Sequence, residues 1–165
     1  MLQTQTGNKK GGLTVEILVV IAIIVTALMS LSRLVSLSLD AFFSSGQSVQ
    51  AGALVQEAME AVRNFRDGTS WDINGLGKLA TNTDYYPKAT SSPLRWQLIQ
   101  GQENNNNFTR KIIFSDVQRN ANGDIAALGG VIDLETKKAS VLVSWQDRGR
   151  PHQVSADTYF TNWKK

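Results

Sequence analysis

An apolar stretch near the beginning of the chain constrains the fold more than any other feature. It runs from Gly12 to Ser32 and follows a short polar segment whose only charges are Lys9 and Lys10. As a helix its 21 residues span about 31 Å, close to the ~30 Å hydrocarbon thickness of a bilayer. Residues 12–33 are therefore predicted to cross a membrane. Because Lys9 and Lys10 precede the span and Arg33 is the first basic residue after it, the basic bias favours a cytoplasmic N-terminus and an exported body.

Glu16 is the one residue of this stretch that does not suit lipid. A carboxylate inside a membrane helix costs on the order of 2.5–3.5 kcal/mol at the bilayer centre, so such residues usually have a partner. No Lys, Arg or His lies between Gly12 and Ser32. Within the stretch, the one cation that can be created is a new α-amino group, and cleavage after Gly11 would supply it on Gly12.

The residues KKGGLTVEILVVIAII, from Lys9 to Ile24, resemble the leader and first residues of type IV prepilins. The resemblance implies that residues 1–11 form a leader peptide and that a cytoplasm-facing aspartyl prepilin peptidase cuts between Gly11 and Gly12. It also implies that the new amine of Gly12 is N-methylated. Glu16 would then pair with the amine of a neighbouring subunit during assembly.

Two positions depart from the family's pattern. Gly12 stands where the first mature residue is usually Phe or Met, and Thr14 would be third where a Thr is commonly second. Cleavage after Gly12 would restore Leu13-Thr14 but would make Glu16 the fourth mature residue. Cleavage after Gly11 is the preferred prediction, because the position of the charge matters more to pairing than the first side chain does.

Two other interpretations of the apolar stretch are an uncleaved membrane anchor and a secretory signal peptide cut after Ala27. The apolar core of a signal peptide has about 7–15 residues and ends at a cleavage site of small residues. Here the apolar pattern continues to Leu39 and onward. The pattern therefore favours the prepilin interpretation.

The helix is predicted to continue beyond the membrane to Gly68. No proline precedes Pro87, and apolar residues of the second half recur at helical spacing. This stripe consists of Leu54, Ala58, Ala61, Val62 and Phe65. Glu60 and Arg63 can pair at i,i+3. Residues 34–67 are thus predicted to form an amphipathic extension, and their sequence LVQEAMEAVRNFRDG also resembles this region of minor pilin-like proteins.

Residues 68–165 are predicted to form a loop region and an antiparallel β-sheet head. The first part, to residue 107, is rich in Gly, Asn, Thr and Ser, which predicts loops with one strand. β-Branched and aromatic runs predict strands at 94–99, 108–118, 130–134, 139–145 and 152–160. A turn at 135–138 would join two of them into a hairpin. The expected fold class is α+β, with three to five strands whose one face packs on the long helix, and the family resemblance implies the same pilin-like layout.

No arrangement typical of catalysis is found in the sequence. The chain has no cysteine, and His152 is its one histidine, predicted to be a surface residue on a strand. Asp116, Asn120, Asn122 and Asp124 offer oxygen ligands, but their spacing does not fit an EF-hand and favours an Asn-Gly turn. Basic and acidic residues are scattered and nearly balanced, 17 against 14, so a nucleic-acid partner is not expected. We predict no enzyme activity, cofactor, metal or small-molecule substrate.

The sequence therefore predicts a minor pilin or pseudopilin of a type IV pilus-like or type II secretion filament. Its predicted partners are prepilin peptidase, other pilin or pseudopilin subunits and, before assembly, membrane lipid. The predicted location is the inner membrane with an extracytoplasmic head, and then a pilus or pseudopilus at the cell surface. Pili, type II secretion and DNA uptake all fit this prediction. The alternative is a membrane-anchored extracytoplasmic binding or adhesion module that does not polymerise.

Overall fold

The computed structural model describes residues 10–91 and 94–163. The chain divides into two compact units, one ending at Ser45 and the other beginning at Gly46. Helix α1, Lys10–Gly68, has 59 residues and belongs to both units. The long N-terminal helix predicted from Gly12 is therefore confirmed. Its uninterrupted length follows from the absence of proline, and it ends at a glycine, the residue that most often ends helices.

Three hydroxyl groups in the first half of α1 bond to the helix itself. Thr26 donates to the carbonyl oxygen of Ala22 at 2.9 Å, and Ser30 donates to that of Thr26 at 2.8 Å. Ser36 donates to the carbonyl oxygen of Ser32 at 3.1 Å. Each hydroxyl is thus satisfied one turn back along its own helix.

The second unit contains a seven-stranded antiparallel sheet and a short 3₁₀ helix, Leu76–Lys78. The strands are β1 Asp84–Ser91, β2 Leu94–Gln100, β3 Glu103–Asn105, β4 Phe108–Arg119, β5 Ile125–Ala126, β6 Val131–Asp147 and β7 Arg150–Thr161. The main path runs β2-β1-β4-β6-β7, and the short strands β3 and β5 also pair with β4. The α+β class and the antiparallel sheet are confirmed. The predicted number of three to five strands is too low, because β1, β3 and β5 were not predicted.

One face of the sheet packs on the C-terminal half of α1. The core joins Ala51, Val55, Ala58 and Val62 of the helix to Phe108, Ile112, Phe114, Val141 and Val143 of the sheet. The predicted helix stripe is confirmed, since its three central residues are fully buried and its two end residues pack against the core half-buried. Along β4 from Phe108 to Ser115, buried side chains alternate with half-buried ones, as expected for a strand with one covered face.

The predicted hairpin with a turn at 135–138 is wrong. Residues 131–147 form the single strand β6, and the irregularity falls beside it, where the register with β4 shifts between Asp116 and Val117. Polar groups in this segment are satisfied within the sheet: Lys137 Nζ donates to Asp116 Oδ1 at 2.7 Å, and the hydroxyls of Thr136 and Thr161 are 3.3 Å apart. The charged run that resembled a turn is therefore a strand whose buried residues Thr136 and Lys137 have polar partners.

Strand β1 lies in a region that is predicted to be loop from its composition and from the presence of Pro87. A proline within a run of residues argues against a central strand, since it has no N–H to donate. The missing N–H group of Pro87 has little effect in β1, because β1 pairs with β4 only at Asp84 and Tyr85. Beyond these two residues, β1 pairs only with β2. Pro87 itself is fully buried.

Arg110 joins the helix to the sheet through buried polar contacts. It is only 4% exposed and lies on the helix-facing side of β4. Its Nε donates to Glu103 Oε2 at 2.8 Å, and its Nη1 donates to the carbonyl oxygen of Leu54 at 3.2 Å. A Glu57 carboxylate oxygen on α1 lies 3.4 Å from the same Nη1. One guanidinium thus connects α1, β3 and β4.

The predicted Asn-Gly turn is present, and a second tight turn joins β6 to β7. Arg148 and Gly149 have φ values of 50° and 77° between the paired residues Asp147 and Arg150, as expected for a two-residue hairpin of type I′. Between β4 and β5, Asn120 Oδ1 accepts hydrogen bonds from the backbone N–H groups of two later turn residues, Asn122 and Asp124. The Asn120 side chain is therefore engaged in holding the turn.

The stability of the head should fall at low pH through Asp133. Arg119 Nε donates to Asp133 Oδ2 at 2.6 Å, and this bond lowers the pKa of the carboxyl group below its ordinary value of 3.8. A lowered pKa means that the stabilisation is present above about pH 5 and is lost as the pH falls below 3.8. We expect Asp133→Asn to lower the free energy of unfolding by about 1–2 kcal/mol at pH 7.

The difference between Asp133→Asn and the parent chain should shrink as the pH falls from 4 to 2. Urea unfolding of both proteins, followed by tryptophan fluorescence at several pH values, measures it. A difference that is unchanged at low pH would contradict the stabilising role of the ionised Asp133 carboxylate.

Candidate functional site on the N-terminal helix

The first half of α1 is long and apolar enough to cross a membrane, and it is the one such helix in the described part of the chain. Its large apolar side chains are all exposed, from 42% for Val25 to 66% for Met29. A stretch of this kind is compatible with a single-pass membrane protein, because lipid is the solvent in which such side chains are stable.

The predicted cleavage bond lies in the first turn of α1. The helix begins at Lys10, so the peptide between Gly11 and Gly12 falls among residues whose N–H groups have no partner within the helix. Two successive glycines also have low helix propensity, which weakens this turn. A Cβ atom placed on Gly12 would meet nothing within 4 Å. The neighbouring bond to Leu13 lies in the same exposed turn, so the geometry favours neither bond over the other.

Glu16 lies one helical turn after Gly12, in an apolar setting. Positions i and i+4 share a helix face, and helical side chains lean toward the N-terminus, so the carboxylate extends toward the residue-12 end of the helix. Leu13, Ile17 and Val20 line the same groove as Glu16. Within the described ranges, no hydrogen bond or ion pair reaches this carboxylate. The structure therefore brings two of the predicted site residues together and leaves the acidic one available for a partner.

Beyond the membrane-length segment, a second set of apolar side chains remains exposed on α1. Val35, Leu39, Phe42 and Phe43 follow the i, i+4, i+7, i+8 spacing of one helix face, which we name the outer stripe. Their exposed fractions are between 51% and 73%. Since residues 12–32 already match the hydrocarbon thickness of a bilayer, the outer stripe extends past the part of the helix that lipid tails would cover in a membrane-spanning arrangement.

Polar residues lie on another part of the same segment. Arg33, Ser36, Asp40 and Ser44 recur at intervals of three and four residues, on average about a third of a turn from the outer stripe. Leu34 and Leu37, each 63% exposed, lie on the remaining side, so only part of the segment's circumference is polar. The prediction of one amphipathic extension over residues 34–67 did not separate this stripe from the one that packs on the sheet. The i, i+4, i+7, i+8 spacing is present in the sequence, but only the exposure of the four side chains in the folded chain separates the two stripes.

The head offers few groups suited to chemistry. His152 is half-buried and stacks on Trp145, with ring centroids 5.5 Å apart, and Trp145 Nε1 donates to Gln47 Oε1 at 3.0 Å. These rings therefore join β6 and β7 to α1. Among the residues that the structure describes, no three acidic or histidine side chains are grouped as a metal ion would require.

Comparisons with models of known protein families, with curated proteins and with solved structures find no match to this chain. The functional interpretation therefore depends on the chain's own residues, above all those of α1.

Proposed function

We propose that this chain is the precursor of a structural subunit, a minor pilin or pseudopilin, of a type IV pilus-like or type II secretion filament. In this proposal a prepilin peptidase removes residues 1–11, and the mature chain assembles through its N-terminal helix. The observation that carries the proposal is the outer stripe, because a helix with exposed apolar side chains beyond a bilayer's length needs other helices to cover them.

The energetics support packing among sister helices. Fully burying one side chain of this size contributes about 1.5–3 kcal/mol. Since the four residues of the outer stripe are between 51% and 73% exposed, covering them contributes about 4–7 kcal/mol. A monomeric membrane-tethered module would leave the stripe in water. Association is easier for chains that share a membrane, because their helices are already aligned and confined before they meet.

Assembly replaces lipid with protein around the helix. Before assembly the segment from Gly12 to Ser32 lies in the membrane, with the N-terminus in the cytoplasm and the head outside. After cleavage the amine of Gly12, which prepilin peptidases usually methylate, gives a neighbouring Glu16 its counter-ion. Because an unpaired carboxylate is costly in lipid, this pair fixes the register of the incoming subunit. The role is structural, and the proposal includes no catalysis, cofactor or small-molecule substrate.

The N-terminal residue of the mature chain tests the proposal. We expect protein from cells with prepilin peptidase to begin at Gly12 and protein from cells without it to keep the leader. Gly11→Val should block processing, because the resemblance implies that the peptidase requires glycine before the cut, whereas the matched change Gly7→Val in the leader should not. N-terminal sequencing of the purified chains gives the answer. A mature chain that begins beyond Ala27, or that always keeps residues 1–11, would rule the proposal out.

A further inference from the structure

One stretch of α1 has a low tendency to be helical. Residues 44–48 read Ser-Ser-Gly-Gln-Ser, and no other five consecutive residues of α1 include four that are Ser or Gly. Glycine is the weakest helix former after proline, and serine hydroxyls compete for backbone groups in non-helical conformations. Bends in helices occur most often at proline or at Gly/Ser pairs. Residues 44–48, which we name the joint segment, are therefore the part of α1 whose composition best suits a bend.

The joint segment also lies where the two compact units meet. One unit ends at Ser45 and the other begins at Gly46. From residue 12 to residue 50 no side chain is buried, and Ala51 is the first residue of α1 in the hydrophobic core. At the C-terminal side of the joint segment, Gln47 Oε1 accepts a hydrogen bond from Trp145 Nε1 at 3.0 Å. The core therefore stabilises the helix only beyond the joint segment, and Ser44, Ser45 and Gly46 come before the hydrogen bond to Trp145.

The cost of opening the helix differs along α1. In a membrane-spanning arrangement, opening within residues 12–32 would leave backbone N–H and C=O groups in lipid, where no water can bond them. Gly46 lies about 21 Å beyond Ser32 along a straight helix, so water can bond the groups that are freed there. Beyond Ala51, opening would also separate apolar side chains from the core. Opening is thus least costly between these two parts.

We propose that α1 opens and bends at the joint segment, so that the membrane-length part of the helix and the part held by the sheet change direction separately. A Cβ atom placed on Gly46 would meet nothing within 4 Å, so packing does not require a glycine at this position. For a subunit tethered in a membrane, such a joint lets the head reorient while the membrane-length part stays in place. The bending involves α1 alone and does not depend on cleavage at Gly11.

Distances between two spin labels on α1 test the bending, because the chain contains no cysteine of its own. Ser38→Cys/Gln56→Cys places the labels on either side of the joint segment, about 27 Å apart in a straight helix. Val20→Cys/Ser38→Cys has the same spacing and lies entirely before the joint segment. In purified full-length protein in detergent, pulsed electron paramagnetic resonance should give the first pair a distance distribution at least about twice as wide, with a tail toward shorter distances.

Glycine substitutions in the Ser38→Cys/Gln56→Cys background provide the second readout. Gly46→Ala should lower the shorter-distance fraction about fivefold, because alanine favours the closed helix by that factor. Gly52→Ala is the matched change in the part that the sheet already holds, and it should leave the distribution unchanged. A Cβ atom placed on Gly52 also meets nothing within 4 Å, so neither substitution introduces a clash.

Three results would overturn the proposal. They are equal widths for the two label pairs, a distribution that Gly46→Ala does not narrow, and equal effects of the two glycine substitutions. Unchanged tryptophan fluorescence would show that each variant folds. Because purified precursor is used, any of these results would leave the prepilin proposal unaffected.

Discussion

Replacing Glu16 with alanine should leave the chain in the membrane and lower its incorporation into filaments by at least about 30-fold. Removing one partner of a buried charge pair costs about 2–5 kcal/mol, and each 1.4 kcal/mol is about tenfold in an equilibrium. Membrane insertion should be unaffected or slightly improved, because alanine is cheaper in lipid than a carboxylate. The substitution therefore separates insertion from assembly.

The measurement compares the membrane and filament fractions of cells that produce each variant. Glu16→Gln keeps the size of the side chain without its charge, so it should fail like alanine. Val15→Ala changes the adjacent exposed residue of the same turn and should assemble normally. Normal incorporation of both Glu16 variants would contradict the ion-pair mechanism.

Replacing Arg110 with alanine should destabilise the head by about 2–4 kcal/mol. Breaking a buried ion pair by removing one partner usually costs about 3–5 kcal/mol. The cost is smaller here because the side chains of Glu103 and Glu57 are 31% and 47% exposed and regain some hydration. The loss also leaves the carbonyl oxygen of Leu54 without this donor. Since these contacts join three elements, the effect should appear as a loss of overall stability.

Urea unfolding of the full-length chain in detergent, followed by the fluorescence of the head tryptophans, measures this effect. Arg63→Ala is the matched control, since Arg63 pairs with Glu60 on the exposed face of the same helix that Arg110 contacts. An exposed pair of this kind is worth about 0.3–0.5 kcal/mol. Equal effects of the two substitutions would mean that the buried contacts do not stabilise the head.

The parts of the fold that the sequence predicts well are those set by local periodicity. The helix follows from an unbroken stretch without proline, and its packed face follows from the spacing of Ala58, Ala61 and Val62. Strands β4 and β7 follow from β-branched and aromatic residues between turns. For these elements the neighbouring residues alone carry the information.

The parts that could not be predicted depend on distant partners. The run Glu135-Thr136-Lys137-Lys138 has the composition of a turn, but it is held as a strand because Lys137 bonds to Asp116 and Thr136 approaches Thr161. The cluster around Arg110 likewise combines Glu57 and Glu103, which lie 53 and 7 residues earlier in the chain. Spacing in the sequence does not reveal such contacts.

The candidate site was predicted in part. Gly11, Gly12 and Glu16 were singled out by the misfit of a carboxylate in an apolar stretch and by the resemblance to prepilins. The outer stripe was not, because it is distinguished by the exposure of Val35, Leu39, Phe42 and Phe43 in the folded chain. Hydrophobic periodicity alone does not tell a face packed within one chain from a face that awaits another chain.

The inward-turned hydroxyls of Thr26, Ser30 and Ser36 have a mechanical consequence for a filament built as proposed. Since those oxygens bond within their own helix, neighbouring helices meet mainly through aliphatic surfaces, which give no directional resistance to sliding. The ion pair of Glu16 would then be the main interaction that fixes the axial position of each subunit. Under tension such a fibre would extend by axial sliding of its helices, and it would recover when each Glu16 pairs with an amine again.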